Sequence, residues 1–120
     1  MHTMNLHRCN GRATICLEGE IDLPTVPAVR AALTTCQAYH IMDIDVDLTA
    51  VTFCDVSGLN VFLAASRRSV AADGRLRLHH PAPAVRLLLD LTGTGFLLAE
   101  DRPPVEPSPA VALQPTRDAA

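Results

Sequence analysis

The sequence predicts a small α/β layer, a largely parallel β-sheet with helices packed mainly on one of its faces. Three observations predict it. Strand-like and helix-like stretches take turns along residues 1–100, and helical stretches of roughly 10–15 residues between strands imply crossover connections, which join parallel strands. One strand alternates strictly between apolar and acidic residues, so one face of the sheet meets water; strands covered on both faces are apolar throughout. Finally, 48% of the 120 residues are hydrophobic, enough for one buried core in a chain of single-domain length.

The elements follow in order. Ala13, Ile15 and Leu17 alternate with Thr14 and Cys16 and stop at Gly19, which reads as a strand. Val26, Val29, Ala32, Leu33 and Cys36 fall at helical spacing, with Thr25 as the cap and Pro27 in the first turn, where its missing N–H costs little. Ile41 to Leu48 is the clearest strand: Ile44, Val46 and Leu48 alternate with Asp43, Asp45 and Asp47. Leu59, Phe62, Leu63 and Val70 mark a second helix, stopped by Gly74. Leu76 and Leu78 alternate with Arg75, Arg77 and His79 as a further strand, and a third helix starts near Pro83, carries Val85, Leu88, Leu89 and Leu91, and stops at Gly93. Phe96 to Ala99 reads as a short last strand. Composition changes at Asp101: residues 101–120 hold five of the nine prolines and few large apolar side chains. Such a segment cannot bury enough surface to offset its ordering entropy, so it is expected to be a disordered tail after a domain of residues 1–100.

Charge and composition exclude several classes of function. Net charge is −3, aromatic content is 3% and there is no Trp, so neither a basic footprint for duplex nucleic acid nor a stacking platform for single strands is present. All 10 basic residues are Arg; without Lys there is no P-loop and no Schiff-base chemistry. Cys9, Cys16, Cys36 and Cys54 show no C-x-x-C or zinc-ligand spacing and read as reduced, small apolar residues. The first twenty residues lack the apolar core of a secretory signal, and the longest apolar run, Val61 to Ala65, is far shorter than the roughly 20 residues of a membrane span. A soluble, cytoplasmic chain without membrane insertion is expected.

Candidate chemistry is sparse. Asp43, Asp45 and Asp47 sit on one strand face about 6.6–6.8 Å apart in sequence order, too far to share one ion without a bulge. Asp43-Ile44-Asp45-Val46 fits the D-x-D-x-[TV] signature of haloacid-dehalogenase-like enzymes, but those need a lysine and a longer chain. The three acids therefore read as a solvated strand face. His79 and His80, adjacent on a strand, should point to opposite faces and lead into the Pro81-Ala82-Pro83 turn; His2, His7 and His40 are scattered. No G-x-S-x-G motif occurs, and Gly93-Thr94-Gly95 lacks the third glycine of a dinucleotide site. These readings imply neither an enzyme nor a cofactor. Asp55-Val56-Ser57-Gly58-Leu59-Asn60 is different. It opens the second helix after an apolar approach through Val51 and Phe53, with Ser57 placed as the cap and Gly58 allowing close backbone approach. A hydroxyl at a helix N-terminus also suits a phosphoacceptor.

Taken together, residues 10–98 resemble a STAS domain, the family of bacterial anti-sigma factor antagonists. Leu17-Glu18-Gly19-Glu20-Ile21-Asp22 is similar to the family's opening L-x-G-E-[IL]-D, and Asp47 to Leu59 is similar to its central D-L-x-x-V-x-F-x-D-S-S-G-L. Gly74 to Leu78 and Leu88 to Gly95 resemble its later strand and L-x-x-x-G turn. The resemblance implies a small mixed β-sheet with helices mainly on one face, and a non-enzymatic role in transcription regulation. It implies a partner of the GHKL-type anti-sigma factor kinase class, whose capture releases a sigma factor and whose kinase activity ends the binding. Carried over, the partner-binding residues are Asp22, Asp55, Val56, Ser57, Gly58, Leu59 and Asn60; capping is the plainer role for the two aspartates. The family's phosphoacceptor follows the motif aspartate directly, and that position here is Val56. Either Ser57 takes over as acceptor or the chain is a binder without that switch. A second implied role is an accessory subunit of a lipid or anion transporter ATPase; a scaffold role is a third, and homodimerisation stays open.

Overall fold

Hydrophobic alternation sets which side of each strand turns inward, and the computed structural model, which describes residues 4–9 and 11–99, shows the result. The elements are β1 (Met4–Cys9), β2 (Arg12–Ile21), α1 (Val26–Ala38), β3 (Asp43–Cys54), α2 (Val56–Ala71), β4 (Arg75–His79) and α3 (Pro83–Thr92), followed by a 3-10 turn at Gly95–Leu97. The sheet order is β1-β2-β3-β4. β1 pairs antiparallel with β2, while β2–β3 and β3–β4 are parallel, so the sheet is mixed. Each parallel connection carries a helix, as crossover geometry requires. No helix among the described residues is long and apolar enough to cross a membrane.

Inward residues of the strands (Ala13, Ile15, Leu17, Ile44, Val46, Leu48, Leu76, Leu78) form one buried cluster with Val29 and Leu33 of α1, Leu59 and Phe62 of α2, and Val85 and Leu89 of α3. Each fully buried side chain of this size contributes about 1.5–3 kcal/mol relative to an exposed one. All three helices therefore share one face of the sheet, as expected.

Several expectations need correction. β1 was not expected, since in Met4–Cys9 only Met4 and Leu6 alternate, against Asn5 and His7; a hairpin with Gly11 at φ 79° brings it beside β2. α2 ends at Ala71 with Asp73, not Gly74, in the left-handed region (φ 65°). Gly74 serves close approach instead: a Cβ there would collide with the backbone carbonyl of Met42. In place of the expected last strand stands the 3-10 turn, and only Leu98, just after it, bridges to Leu78. The C-terminal tail, 101–120, and His2 lie outside the described residues.

β3 also runs past Leu48 to Cys54, and its buried positions there are Leu48, Val51 and Cys54, three apart. Two register shifts against β2 explain the change of period: one between Cys16 and Glu18, one between Gly19 and Glu20. Each inserts an extra β3 residue and resets which side faces inward. At the first shift the Asp47 carboxylate accepts from the Thr49 N–H (2.9 Å) and hydroxyl (2.6 Å).

The outer face is not simply solvated. Asp45, 8% exposed, is a hub. Arg12 Nη2 donates to its Oδ2 at 2.6 Å, His79 Nε2 lies 2.8 Å from Oδ1, and Arg77 Nη1 is 3.7 Å away. Strands β2, β3 and β4 are thus tied through one carboxylate. His79 and His80 do not diverge either: His80 leaves the strand with φ 57°, and the two ring centroids are 6.1 Å apart. Burial of Asp45 opposes its charge, but the bonds from His79 and Arg12 outweigh it and hold the carboxyl below its ordinary range.

Replacing Asp45 by Asn should cost about 1–3 kcal/mol, as expected for hydrogen bonds to a charged group, measured by urea denaturation at pH 7. Because the folded carboxyl is more acidic than an unfolded one (about 3.9), the ionised hub contributes fully above roughly pH 5 and fades as pH falls below about 4. The Asp45→Asn chain should therefore show a shallower loss of melting temperature between those values than the wild type.

Candidate functional site

β2 and β3 end side by side, with Ile21 opposite Cys54. The chain turns out of each strand at an aspartate. After β2, Asp22 N–H donates to Thr25 Oγ1 (2.9 Å), and that hydroxyl donates toward the Glu20 carbonyl (3.0 Å). Thr25 occupies the N-cap position of α1 without capping it through its side chain, a correction to the expected role. Its hydroxyl is spent on closing the 22–25 loop.

After β3, Asp55 N–H donates to the Ile21 carbonyl at 3.1 Å, which stitches the two strand ends together. Asp55, not Ser57, is the N-cap of α2. Its Oδ1 accepts from the N–H groups of Ser57 (2.9 Å) and Gly58 (3.2 Å) and from the Ser57 hydroxyl. Ser57 lies inside the first turn, where its hydroxyl serves Asp55 rather than the free backbone donors. The Ser57 hydroxyl bond, helped by the two N–H groups, holds the Asp55 carboxyl below its usual range despite some desolvation. An ionised cap at a helix N-terminus also suits the helix dipole. Next to it, burial pushes the Cys54 thiol up to about 12, so it remains a neutral packing group.

The sequence-derived residues divide into two sets. Val56 is 56% exposed, Asn60 is exposed, and Asp22, Asp55 and Ser57 are half-buried, so these five offer surface. Gly58 and Leu59 lie inside. A Cβ on Gly58 would stand 2.5 Å from Ile21 Cγ2 and 2.9 Å from Cys54 Sγ, so α2 starts in direct contact with the strand ends beneath it. Leu59 belongs to the core. Sequence reasoning missed Leu23 (71% exposed) and did not anticipate that Phe53 (45%) turns outward. The signal for Leu23 was its place between Asp22 and Pro24, in a loop that cannot bury it. For Phe53 no signal was visible, because its orientation follows from the register shifts. The surface around the two strand ends thus combines Leu23, Phe53 and Val56 with the acidic Glu20, Asp22 and Asp55.

Comparison with known proteins agrees with this architecture. The family described as "Mlab, STAS domain" matches residues 5–99. The anti-sigma-B factor antagonist of Listeria monocytogenes is 33% identical over 84 residues, covering 70% of this chain and 74% of that protein. The solved anti-sigma factor antagonist SpoIIAA in its unphosphorylated form superposes with a TM-score of 0.72 at 27% identity, covering 81% of this chain and 86% of that one. The phosphorylated form of the Bacillus cell fate determinant SpoIIAA gives 0.66 at 26% identity, over 81% and 89%.

Loss of the α2 cap should be measurable on its own. Asp55→Ala is expected to cost about 0.5–2 kcal/mol in urea denaturation, and Asp55→Asn much less, since an amide oxygen still accepts from the first-turn N–H groups.

Proposed function

The chain belongs to the STAS-domain family, and from that premise we propose that it is an anti-sigma factor antagonist acting in the cytoplasm. It binds a GHKL-type anti-sigma factor and so frees a sigma factor for transcription. The contact surface is the 22–25 loop together with Phe53, Asp55, Val56, Ser57 and Asn60. One observation carries this placement: Leu23, Phe53 and Val56 present large apolar area at the joined ends of β2 and β3, rimmed by carboxylates. Exposed apolar side chains inside a polar rim are the make-up of a protein contact surface. Gly58 and Leu59 support it from below.

The same surface lacks the family's switch. Val56 stands, exposed, where the acceptor hydroxyl belongs, and a hydrocarbon side chain cannot be phosphorylated. In this reading Ser57 does not replace it, because its hydroxyl is the donor that completes the Asp55 cap at the start of α2. A phosphoryl group there would remove that donor and set nearly two negative charges against the carboxylate that caps α2. In this reading the antagonist stays competent to bind regardless of kinase activity.

Calorimetric titration with the GHKL-type anti-sigma factor encoded by the same genome tests the surface. Leu23→Arg and Val56→Arg should each weaken binding at least tenfold, or about 1.4 kcal/mol, through buried unpaired charge, with the melting temperature little changed. Wild-type affinity in both variants would place the contact elsewhere, and capture of a transporter ATPase in place of an anti-sigma factor would replace the proposal. Incubation with that partner and ATP should add no phosphoryl mass to the wild type and should add one to Val56→Ser. A modified Ser57 in the wild type would restore the switch.

A further inference from the structure

α1 and α2 lie against each other on the sheet, and a cleft of about 140 Å³ opens between them, lined by Arg30, Thr34, Asn60, Val61, Ala64 and Arg68. Arg30 and Thr34 are one helical turn apart on α1, while Asn60, Ala64 and Arg68 occupy successive turns of α2. The polar lining is two guanidinium groups, an amide and a hydroxyl, all able to donate, with the small Ala64 between the donors of α2. Among the described residues no carboxylate lines the cleft. Among the described residues neither Arg30 nor Arg68 has a carboxylate partner, although Arg12, Arg77 and His79 all share one on the opposite side of the sheet.

Arg68 is also held in place from within. Gln37 of α1 is 8% exposed. Its Nε2 donates to the Ala65 carbonyl (2.9 Å) and to Ser69 Oγ (3.1 Å), and its Oε1 accepts from Arg68 Nε at 2.7 Å. The Ala65 carbonyl can only accept, so the orientation of the amide is fixed and Oε1 must face the arginine. This buried glutamine engages the inner nitrogen of Arg68 and leaves the terminal N–H groups unspent. Holding α1 to α2 would explain Gln37 and Arg68 alone. It does not explain a second arginine, Asn60 and Thr34 around the same cleft.

We infer that the cleft between α1 and α2 binds an oxyanion, the carboxylate or phosphate group of a ligand, between Arg30 and Arg68. Planar guanidinium groups are suited to paired hydrogen bonds with such oxygens. Thr34 and Asn60 supply neutral donors for the remaining oxygens. The inference stands apart from the proposed function except in the source of the anion: Asn60 belongs to both surfaces, so an acidic side chain of a bound anti-sigma factor is one source and a free phosphate compound is the other.

Titration of the isotope-labelled 120-residue chain with inorganic phosphate, at ionic strength held constant with chloride, tests it. NMR should show saturable shifts at the Nε–H groups of Arg30 and Arg68 and at the Asn60 side-chain amide. In the double variant Arg30→Gln, Arg68→Gln the affinity should fall roughly tenfold or more, since two charge-assisted contacts are lost. Arg67→Gln, exposed on α2 outside the cleft, should bind phosphate like the wild type. The same variants are then titrated with the anti-sigma factor. If the double variant loses affinity for that protein and Arg67→Gln does not, the anion is a partner carboxylate, whether or not phosphate itself binds. If phosphate binds in the cleft and partner affinity is unchanged, the anion is a free ligand. Linear shifts that are the same in wild type and double variant, with equal partner affinity, overturn the inference. Should the wild-type chain bind no anti-sigma factor at all, the proposed function fails while the phosphate titration still decides the cleft.

Discussion

Strand β3 pairs in parallel with a neighbour on each side, and this double pairing constrains everything at the exposed end of the molecule. Parallel strands finish at the same edge of a sheet, so the loops that follow β2 and β3 emerge together. The Asp55 N–H to Ile21 carbonyl bond then fixes the distance between them. On the outer face the Asp45 carboxylate draws on Arg12 from one neighbour and on Arg77 and His79 from the other, holding the same three strands in register. Hydrophobic burial supplies most of the free energy on one side of the sheet. A single ionised group organises the other.

On that foundation the start of α2 is rigid from two directions. From above, one oxygen of Asp55 gathers the first-turn donors and the Ser57 hydroxyl. From below, Gly58 lets the helix rest on Ile21 and Cys54 with no room for a further methyl group. The residues between these supports, Val56 above all, are presented without freedom to withdraw. A surface held this way loses little conformational entropy when it is covered, which favours binding.

Most of the architecture was legible because hydrophobic spacing reports which face is buried. That holds for the three helices, for β4 and for the first half of β3, whose Ile44, Val46 and Leu48 alternate cleanly. β1 was hidden because its alternation is only two apolar residues long, Met4 and Leu6, and an edge strand in a hairpin needs no longer rhythm. The Asp45 hub was hidden for a different reason: its partners Arg12, Arg77 and His79 are 33, 32 and 34 residues away, and only the pairing register brings them together. Helix capping was misassigned by two residues, since Asp55 and Ser57 are both good caps and the choice rests on where the backbone leaves the strand. The two half-buried aspartates and the exposed Val56 came from the motif, whereas Phe53 and the Gln37–Arg68 contact depended on geometry that no local pattern carries.

The two register shifts in β3 have a consequence for how this segment can change over time. Between Leu48 and Cys54 the inward positions come every third residue, and Phe53 faces out next to an inward Cys54. A substitution at the outward position 50 leaves that arrangement alone, whereas Thr49 is tied to Asp47 at the first shift and Thr52 reaches the Gly19 carbonyl at the second. The gain of one residue would move every later side chain one place along and put Phe53 in the inward place of Cys54, while the loss of one would turn Val51 and Cys54 outward and Thr52 inward. Either change would also move the aspartate that starts α2 off its contact with Ile21. This stretch is therefore free to drift in composition at position 50 but closed to changes in length, and insertions compatible with the fold are confined to the loops beyond its ends.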